Sequence, residues 1–198
     1  MADNIEILDK ALRYKGFFEI VHYRFRHRLF AGGWSGEIER EVFERGHAAA
    51  VLLYDPAADA VVLIEQFRIG ALVAGLEPWQ IEIVAGIIED GELPEDVARR
   101  ESQEEAGVAI GTLLPIYRYM VSPGGASESV QVYCGRVDSR GLGGIHGLPE
   151  ENEDIRVEVH SFDRSMAALD AGKITNAVTI IALQWLALNR ARLRETWR

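Results

Sequence analysis

The stretch that decides the fold spans residues 86–108 and reads Gly86-Ile-Ile-Glu-Asp-Gly-Glu-Leu-Pro-Glu-Asp-Val-Ala-Arg-Arg-Glu-Ser-Gln-Glu-Glu-Ala-Gly-Val108. Its second half predicts a helix over residues 94–106, because a proline and two acidic residues suit a first turn and Gly107 suits a C-terminal cap. At about 100° per residue, an arc of about 140° holds four charged side chains: Arg100, Glu101, Glu104 and Glu105. Three carboxylates and a guanidinium therefore share one helix face.

The residues alone leave two explanations of this acidic face open. Like charges at this spacing destabilise a helix unless something neutralises them, and Mg²⁺ would do so because it prefers carboxylate oxygens. A solvated acidic surface with Arg100 as local partner is the commoner explanation of an isolated cluster of this kind. An adjacent stripe of small residues would let the helix lie close to a sheet and leave the acidic arc at an open edge. The stripe consists of Ala98, Ser102 and Ala106.

The whole stretch resembles the Nudix box, which runs glycine, five residues, Glu, seven residues, Arg-Glu, two residues, Glu-Glu, one residue, Gly and an apolar residue. The matching positions are Gly86, Glu92, Arg100, Glu101, Glu104, Glu105, Gly107 and Val108. So many identities at fixed spacing favour the metal site over the solvated surface. Ser102 departs from the pattern, since the family usually has an aliphatic residue there, and it suggests a tighter or more polar contact between helix and sheet.

The resemblance covers about residues 17–190 and extends to the ADP-ribose pyrophosphatase branch of the Nudix hydrolases. It rests on the further segments Arg40-Glu-Val-Phe-Glu-Arg-Gly-His47, Ile64-Glu-Gln-Phe-Arg68, Pro78-Trp79, Val84-Ala-Gly86, Ser122-Pro-Gly-Gly-Ala-Ser-Glu128, Gly144-Ile-His-Gly-Leu148 and Glu150-Glu-Asn-Glu-Asp-Ile155. It implies an α+β fold: an α/β/α sandwich around a mixed sheet, with an N-terminal antiparallel β arm. It also implies Mg²⁺-dependent hydrolysis of ADP-ribose to AMP and ribose 5-phosphate.

The same resemblance implies a metal site that holds more than one ion, with Mg²⁺ as the expected ion and Mn²⁺ as the alternative. The ligands it implies are the backbone carbonyl of Ala85 and the carboxylates of Glu101, Glu105 and Glu153, with Glu104 as a further ligand or an outer group. Glu92 and Arg100 are expected to orient the ligands through hydrogen bonds, as neighbours of metal ligands commonly do.

Glu151 is the candidate general base, because a flexible acidic loop could bring its carboxylate to a water molecule; ordinary loop solvation is the alternative. The expected substrate-binding residues are Phe17, Phe18, Arg40, Glu41, Arg45, Arg68, Ile87, Ser122, Pro123, Gly124 and Glu128. A phosphate would pair with Arg68, a ribose would donate to Glu128, and adenine would stack on the two phenylalanines. Structural alternatives are core packing of the arm for the phenylalanines, a strand-end salt bridge for Arg68, and an ordinary turn for the Pro-Gly-Gly segment, residues 123–125.

Outside the box, alternating and apolar runs predict strands over residues 17–30, 38–45, 48–54, 61–67, 80–84, 113–121, 130–137 and 157–162. A second helix is expected over about residues 177–194, behind the cap candidates Thr175 and Asn176. Residues 138–154 read as a long loop of the kind that is commonly functional. His47 and Cys134 lie in apolar runs and are expected in the core.

Residues 1–45 are expected to form an arm that serves dimerisation, and residues 46–198 the Nudix hydrolase domain. The arm carries an apolar face of Val21, Tyr23 and Phe25 that a two-stranded hairpin cannot bury alone. Packing of the arm on its own domain would also bury that face. The family resemblance favours a homodimer with crossed arms and shared active sites.

Composition limits the partners and the compartment. The chain has 198 residues, of which 48% are hydrophobic, which suits one globular domain with an arm. With 21 basic and 31 acidic residues its net charge is −10, which argues against binding to nucleic acid or anionic membranes and favours a small molecule or a cation. One cysteine excludes an intrachain disulfide, and no signal peptide or membrane span is recognisable, so we expect a cytoplasmic protein.

Two rival functions remain. One is hydrolysis of another nucleoside diphosphate sugar such as GDP-mannose, since the box sets the chemistry and the surrounding loops set the base and the sugar. The other is a non-catalytic Nudix-like ligand sensor. A sensor predicts loss of acidic positions from the box, and all of them are present here.

Overall fold

The computed structural model describes residues 4–197, and the side chain of Glu151 lies outside the described part. The chain forms two compact units. The first comprises the residues up to 47 together with residues 119–129, and the second comprises residues 48–118 and those from 130 onward. Within residues 4–197 we find no helix with the length and apolar character that crossing a membrane requires.

The first unit is built on a three-stranded antiparallel sheet of β1 (Ile5–Lys15), β2 (Glu19–His27) and β3 (Ile38–Glu44), in that order. The sequence predicted β2 and β3 but not β1, so the expected two-stranded ribbon has a third strand. In the pairing register Val21 lies opposite Leu12 and Val42. Because directly opposite residues share a face of the sheet, the predicted apolar face of β2 continues onto both neighbours.

The second unit is built on a larger mixed sheet. Its strands are β4 (His47–Asp55), β5 (Ala60–Phe67), β6 (Trp79–Glu82), β7 (Val84–Ile88), β8 (Leu113–Met120), β9 (Ser129–Arg136), β10 (Gly144–His146) and β11 (Ile155–Ser161). The main order is β10-β11-β5-β4-β9-β8, with β6 paired to β5 and β7 paired to β4. The β4–β9 pair is parallel, whereas β4–β5 is antiparallel around a turn at residues 56–59.

Four helices accompany this sheet in the described chain: α1 (Ile69–Val73), α2 (Pro94–Ala106), α3 (Phe162–Asp170) and α4 (Ala177–Thr196). The predicted bounds of α2 are confirmed, and α4 begins where expected behind Asn176, whose side chain accepts a hydrogen bond from the Thr179 amide. The sequence did not predict α1 or α3. The expected long loop at residues 138–154 contains β10 and a 3₁₀ turn, Pro149–Glu151.

The core of the second unit lies between α2 and the sheet. Ala98 and Ala106 of α2 are buried in one cluster with apolar side chains of β4, β5, β7, β9 and β11. The small-residue stripe therefore packs as predicted, and the fully buried Ser102 hydroxyl donates to the Ala98 carbonyl of its own helix. Cys134 is buried, which confirms its core position. The core prediction for His47 was wrong: it is the exposed first residue of β4, and its Nδ1 accepts from the Ser129 amide.

Candidate active site

The residues of the box meet where β7 passes the acidic face of α2. At Gly86 an added Cβ would lie 1.8 Å from Glu101 Oε1 and 2.2 Å from its Cδ. No side chain fits in that space unless Glu101 moves. Glycine is therefore required at this position so that the Glu101 carboxylate can lie against the strand.

Arg100 organises the acidic face through three carboxylates. Its Nη1 lies 2.8 Å from Glu101 Oε1 and 3.1 Å from Glu104 Oε2, and its Nε lies 3.3 Å from Glu92 Oε1. The amide of Glu89 donates to Glu92 Oε2 at 3.0 Å, which lowers the pKa of Glu92, and Arg100 lowers it further. These contacts agree with the expected orienting role of Glu92 and Arg100.

Glu105 is the most buried carboxylate of the box. It is 3% exposed, and its Oε2 accepts one hydrogen bond from the Ala85 amide at 3.2 Å. Burial, followed by the charge of Glu101, raises the pKa of Glu105 to about 8; the charge of Glu153 acts in the same direction. The ionised side chain is therefore poorly compensated by the protein alone.

Glu101 and Glu153 complete the acidic centre. Burial raises the pKa of Glu101, Arg100 opposes this, and the charges of Glu104 and Glu153 raise it further. Glu153 Oε2 accepts from the Leu148 amide at 3.1 Å, which ties the side chain to the preceding turn. All the converging groups carry oxygen and an excess of negative charge, which is the donor set that a hard divalent cation prefers.

The described side chains do not form a finished coordination shell. Across residues 4–197, without the side chain of Glu151, no group of three or more His, Cys, Asp or Glu side chains is arranged to hold a metal ion. One oxygen of Glu101 is engaged by Arg100 instead. The residues fit a divalent cation by chemistry and charge. The predicted role of Glu151 falls on a side chain outside the described part of the structure.

Arg68 lies directly after β5 and forms a salt bridge, which was the structural alternative to the expected contact with a phosphate. Its Nη2 lies 2.8 Å from Glu82 Oε2, yet 44% of the Arg68 side chain remains exposed. The sequence analysis missed Glu82. The only signal was a carboxylate inside a predicted strand, where burial needs a partner. Ile87, the other expected substrate contact in this unit, is 36% exposed.

The first unit gathers several of the remaining predicted residues. The rings of Phe17 and Phe18 are 4.8 Å apart, and the Arg45 guanidinium lies 5.2 Å from the centre of the Phe18 ring. Arg45 Nη1 also lies 3.5 Å from Glu128 Oε2. Phe17 is 86% exposed, which rules out its alternative as a core residue.

The other predicted residues of this unit lie at its surface. Arg40 and Glu41 are exposed positions of β3. Residues 122–125 form a turn in which the amides of Gly125 and Ala126 donate to the Ser122 carbonyl. The structure thus describes an exposed aromatic ring next to a paired arginine and carboxylate, a group that could contact a base and a ribose.

Comparisons with known proteins show the family of this chain. A family model described as the NUDIX domain matches residues 44–193. The ADP-ribose pyrophosphatase of Escherichia coli (strain K12) is 50% identical over 195 residues, covering 98% of this chain and 93% of the relative. The GDP-mannose pyrophosphatase of Pectobacterium atrosepticum is 35% identical over 185 residues, covering 93% and 94%. A crystal structure of an ADP compounds hydrolase superposes with a TM-score of 0.72 at 18% identity, covering 96% of this chain and 97% of the other, which supports the fold alone.

Proposed function

This chain belongs to the NUDIX family, and we propose that it hydrolyses the pyrophosphate bond of ADP-ribose to give AMP and ribose 5-phosphate. The observation that carries the proposal is the acidic face of α2, which holds Glu101, Glu104 and Glu105 and on which Glu105 is buried without enough protein partners to balance its charge. The substrate follows from the 50% identity with an ADP-ribose pyrophosphatase over nearly the whole chain. GDP-mannose is the second candidate, supported by the 35% identity with a GDP-mannose pyrophosphatase.

The reaction adds water to one phosphorus and breaks its bond to the bridging oxygen, so both products leave as phosphate monoesters. When bound, Mg²⁺ supplies neutralisation of the charge on the phosphoryl oxygens. We assign its binding, or that of Mn²⁺, to the backbone carbonyl of Ala85 and to Glu101, Glu105 and Glu153, with Glu104 as a further or outer ligand and with more than one ion per site. Arg100 holds Glu101 and Glu104 in place through its hydrogen bonds.

The remaining roles follow the chemistry of the side chains. Glu151 takes the proton of the attacking water. Arg68 binds a phosphate oxygen with the edge of its guanidinium that the protein leaves free. Contacts to adenine and ribose come from Phe17, Phe18, Arg40, Glu41, Arg45 and Glu128, with the backbone of Ser122, Pro123 and Gly124 and the side chain of Ile87 close to the substrate.

The test is turnover of ADP-ribose and GDP-mannose by purified protein with Mg²⁺, with the products resolved by chromatography. We expect AMP and ribose 5-phosphate from ADP-ribose, no turnover in EDTA, and no turnover by Glu101→Gln protein prepared in parallel. Glu151→Gln should keep metal and substrate binding in calorimetry and lose mainly kcat. Release of GMP from GDP-mannose without AMP from ADP-ribose would select the rival substrate, and binding without turnover of either would select a sensor.

We further propose a cytoplasmic homodimer with crossed arms and shared active sites. The dimer is supported by the apolar face of the first unit, where Ile5, Ile7 and Leu12 of β1 are each more than half exposed. They share one face of the sheet, with Lys10 between Ile7 and Leu12, and apolar side chains grouped in this way at a surface commonly mark an interface. The compartment is supported by the single, buried cysteine.

A further inference from the structure

The guanidinium of Arg68 has one edge that is held and one that is free. Its Nε and Nη2 donate to the same oxygen, Glu82 Oε2, at 3.1 and 2.8 Å. Its Nη1 has no hydrogen bond within residues 4–197 as far as their side chains are described. The held edge fixes the plane of the group, and the free edge keeps donors available for a ligand.

Glu82 is itself fixed by a buried network. Its side chain is 5% exposed, and its second oxygen, Oε1, accepts from Asn176 Nδ2 at 2.8 Å. Asn176 Oδ1 accepts from the amide and the hydroxyl of Thr179, and the Ile83 amide donates to that hydroxyl oxygen at 3.0 Å. The carboxylate is therefore held between the end of β6 and the first turn of α4.

This network adjoins the acidic centre. Ile83 lies two residues before Ala85, whose amide donates to Glu105 Oε2. The charge of Arg68 acts favourably on ionised Glu105, so the guanidinium lies within electrostatic range of the acidic centre. A phosphate near Glu105 would be within reach of the same positive charge.

We propose that Glu82 is a positioning residue, which fixes Arg68 so that the free edge of its guanidinium meets a phosphate oxygen of the substrate. The inference rests on the proposed hydrolysis of ADP-ribose. A free arginine side chain samples many rotamers, and holding it before the substrate arrives removes that entropy loss from binding and from the transition state. A purely structural salt bridge explains the arrangement less well, because buried ion pairs are seldom more stabilising than apolar residues of the same size.

The test is a double-mutant cycle on kcat/KM for ADP-ribose with Mg²⁺. The four proteins are wild type, Glu82→Gln, Arg68→Ala and the double variant. We expect Glu82→Gln to lower kcat/KM by about 10- to 100-fold, the range that a small misplacement of a binding group produces. In the Arg68→Ala background the same substitution should change kcat/KM by less than about 2-fold, because the residue it positions is absent.

Asp59→Asn is the matched control. It breaks another partly buried carboxylate–guanidinium pair, with Arg190 of α4, and should leave kcat/KM unchanged. All variants are compared below their unfolding temperatures. If Glu82→Gln does not fold, Glu82→Asp replaces it, because it keeps a carboxylate in the site for Gln66 and Asn176 and shortens the side chain that holds Arg68.

The outcomes separate the two proposals. An inactive wild type overturns the proposed function. An active wild type with equal effects of the Glu82 substitution in both backgrounds, or with no effect in either, assigns Glu82 a structural role and overturns the positioning role. A loss confined to the background that contains Arg68 supports it.

Discussion

At the scale of single residues, Glu105 shows how the proposed metal-binding role opposes stability. The side chain is 3% exposed, and burial together with the charge of Glu101 raises its pKa to about 8. An unfolded glutamate has a pKa of about 4.3, so the folded chain without metal holds this proton more strongly than the unfolded chain does. The metal-free protein should therefore lose stability as the pH rises between about 4 and about 8.

Glu105→Gln should raise stability and greatly lower activity. Glutamine has nearly the same volume and carries no charge, so the unfolding temperature in EDTA should rise at pH 8 and depend less on pH. Turnover with Mg²⁺ should fall roughly 10³-fold, since several kcal/mol of charge stabilisation are lost. Thermal unfolding across pH and steady-state kinetics measure both effects. Glu104→Gln, with 31% of the Glu104 side chain exposed, is the control and should unfold like the wild type. If the unfolding temperature of Glu105→Gln depends on pH as steeply as that of the wild type, this account is wrong.

Asp59 provides the opposite case, in which ionisation stabilises the fold. Arg190 Nε donates to Asp59 Oδ1 at 2.7 Å and the Tyr54 hydroxyl donates at 2.8 Å. The hydrogen bond from Arg190 lowers the pKa of Asp59, burial opposes this, and the bond from Tyr54 lowers it further. Because the pKa of Asp59 is lower in the folded chain, ionised Asp59 stabilises the fold. This stabilisation is complete above the unfolded pKa of about 3.9 and is lost as the pH falls through the folded pKa.

Asp59→Asn should therefore destabilise the fold in a pH-dependent way. Asparagine tolerates the positive φ of 53° at this position, so the substitution mainly removes the charge. We expect the free energy of unfolding at pH 7 to fall by about 1–3 kcal/mol, as for hydrogen bonds to charged groups. Urea denaturation at pH 7 and pH 3 measures it, and the difference between the proteins should shrink at the lower pH. A difference that stays constant would refute the assignment.

The sequence revealed those residues whose signal lies in their spacing. The box carboxylates are separated by fixed short intervals on one helix, so a single stretch identified them. Glu82 gave no such signal, because its partners Arg68 and Asn176 come from distant parts of the chain. His47 was placed in the core because it adjoins an apolar run, but it begins the strand, where the side chain is open to water.

At the scale of elements, local end signals decided which bounds could be predicted. The helix α2 was found with its bounds because Pro94 and Gly107 mark both ends within the sequence itself. The strand β1 was missed because register shifts after Ile7 and Leu12 interrupt its alternation. The helix α3 was missed because its cap, Ser161, was absorbed into the preceding strand.

The end of α2 also supports the segment that carries Glu153. Gly107 has φ 62°, and an added Cβ would lie 2.7 Å from Cε1 of His146 in β10. Gly147 directly follows His146, and its amide donates to the carbonyl of Glu104 in α2 at 3.4 Å. The glycine is therefore needed for its backbone conformation and for the approach of the imidazole.

Gly107→Ala should lower the stability of the fold by more than the strain of the left-handed backbone conformation accounts for. Gly172 follows α3 with φ 68° and has no atom near its missing Cβ, so Gly172→Ala measures the cost of the left-handed conformation, about 1–2 kcal/mol. We expect a larger loss of stability for Gly107→Ala, with a fall in Mg²⁺ affinity that Gly172→Ala does not show. Adding His146→Ala should restore part of the loss. Equal behaviour of the two alanine variants would mean that the imidazole contact is unimportant.

At the scale of the whole molecule, the first unit raises the question of what covers its apolar face. Val21 of β2 is only 4% exposed, yet Ile7 and Leu12, on the same face of the sheet, are 55% and 53% exposed. One sheet thus carries a covered and an open apolar region. A second copy of this chain would cover the open region on both partners at once, as a two-fold interface does.

Mixing two inactive variants tests whether the arms are exchanged between subunits. One variant is Glu101→Gln, with an intact arm, and the other carries Phe17→Ala and Phe18→Ala, with an intact box. If each site combines the arm of one subunit with the box of the other, a heterodimer has one complete site. Random mixing then restores about one quarter of wild-type activity, since half of the dimers are mixed and each has one of two sites. If each arm serves its own box, every site in the mixture carries one defect and activity stays absent even when heterodimers are demonstrated by native mass spectrometry.

The variant Leu12→Asp tests the link between assembly and substrate binding. A charge in the open apolar region should give monomers by light scattering. If the arms are exchanged, the same variant should lose affinity for ADP-ribose although its box is intact. A wild-type monomer at assay concentration would leave the arm as a local extension of its own chain.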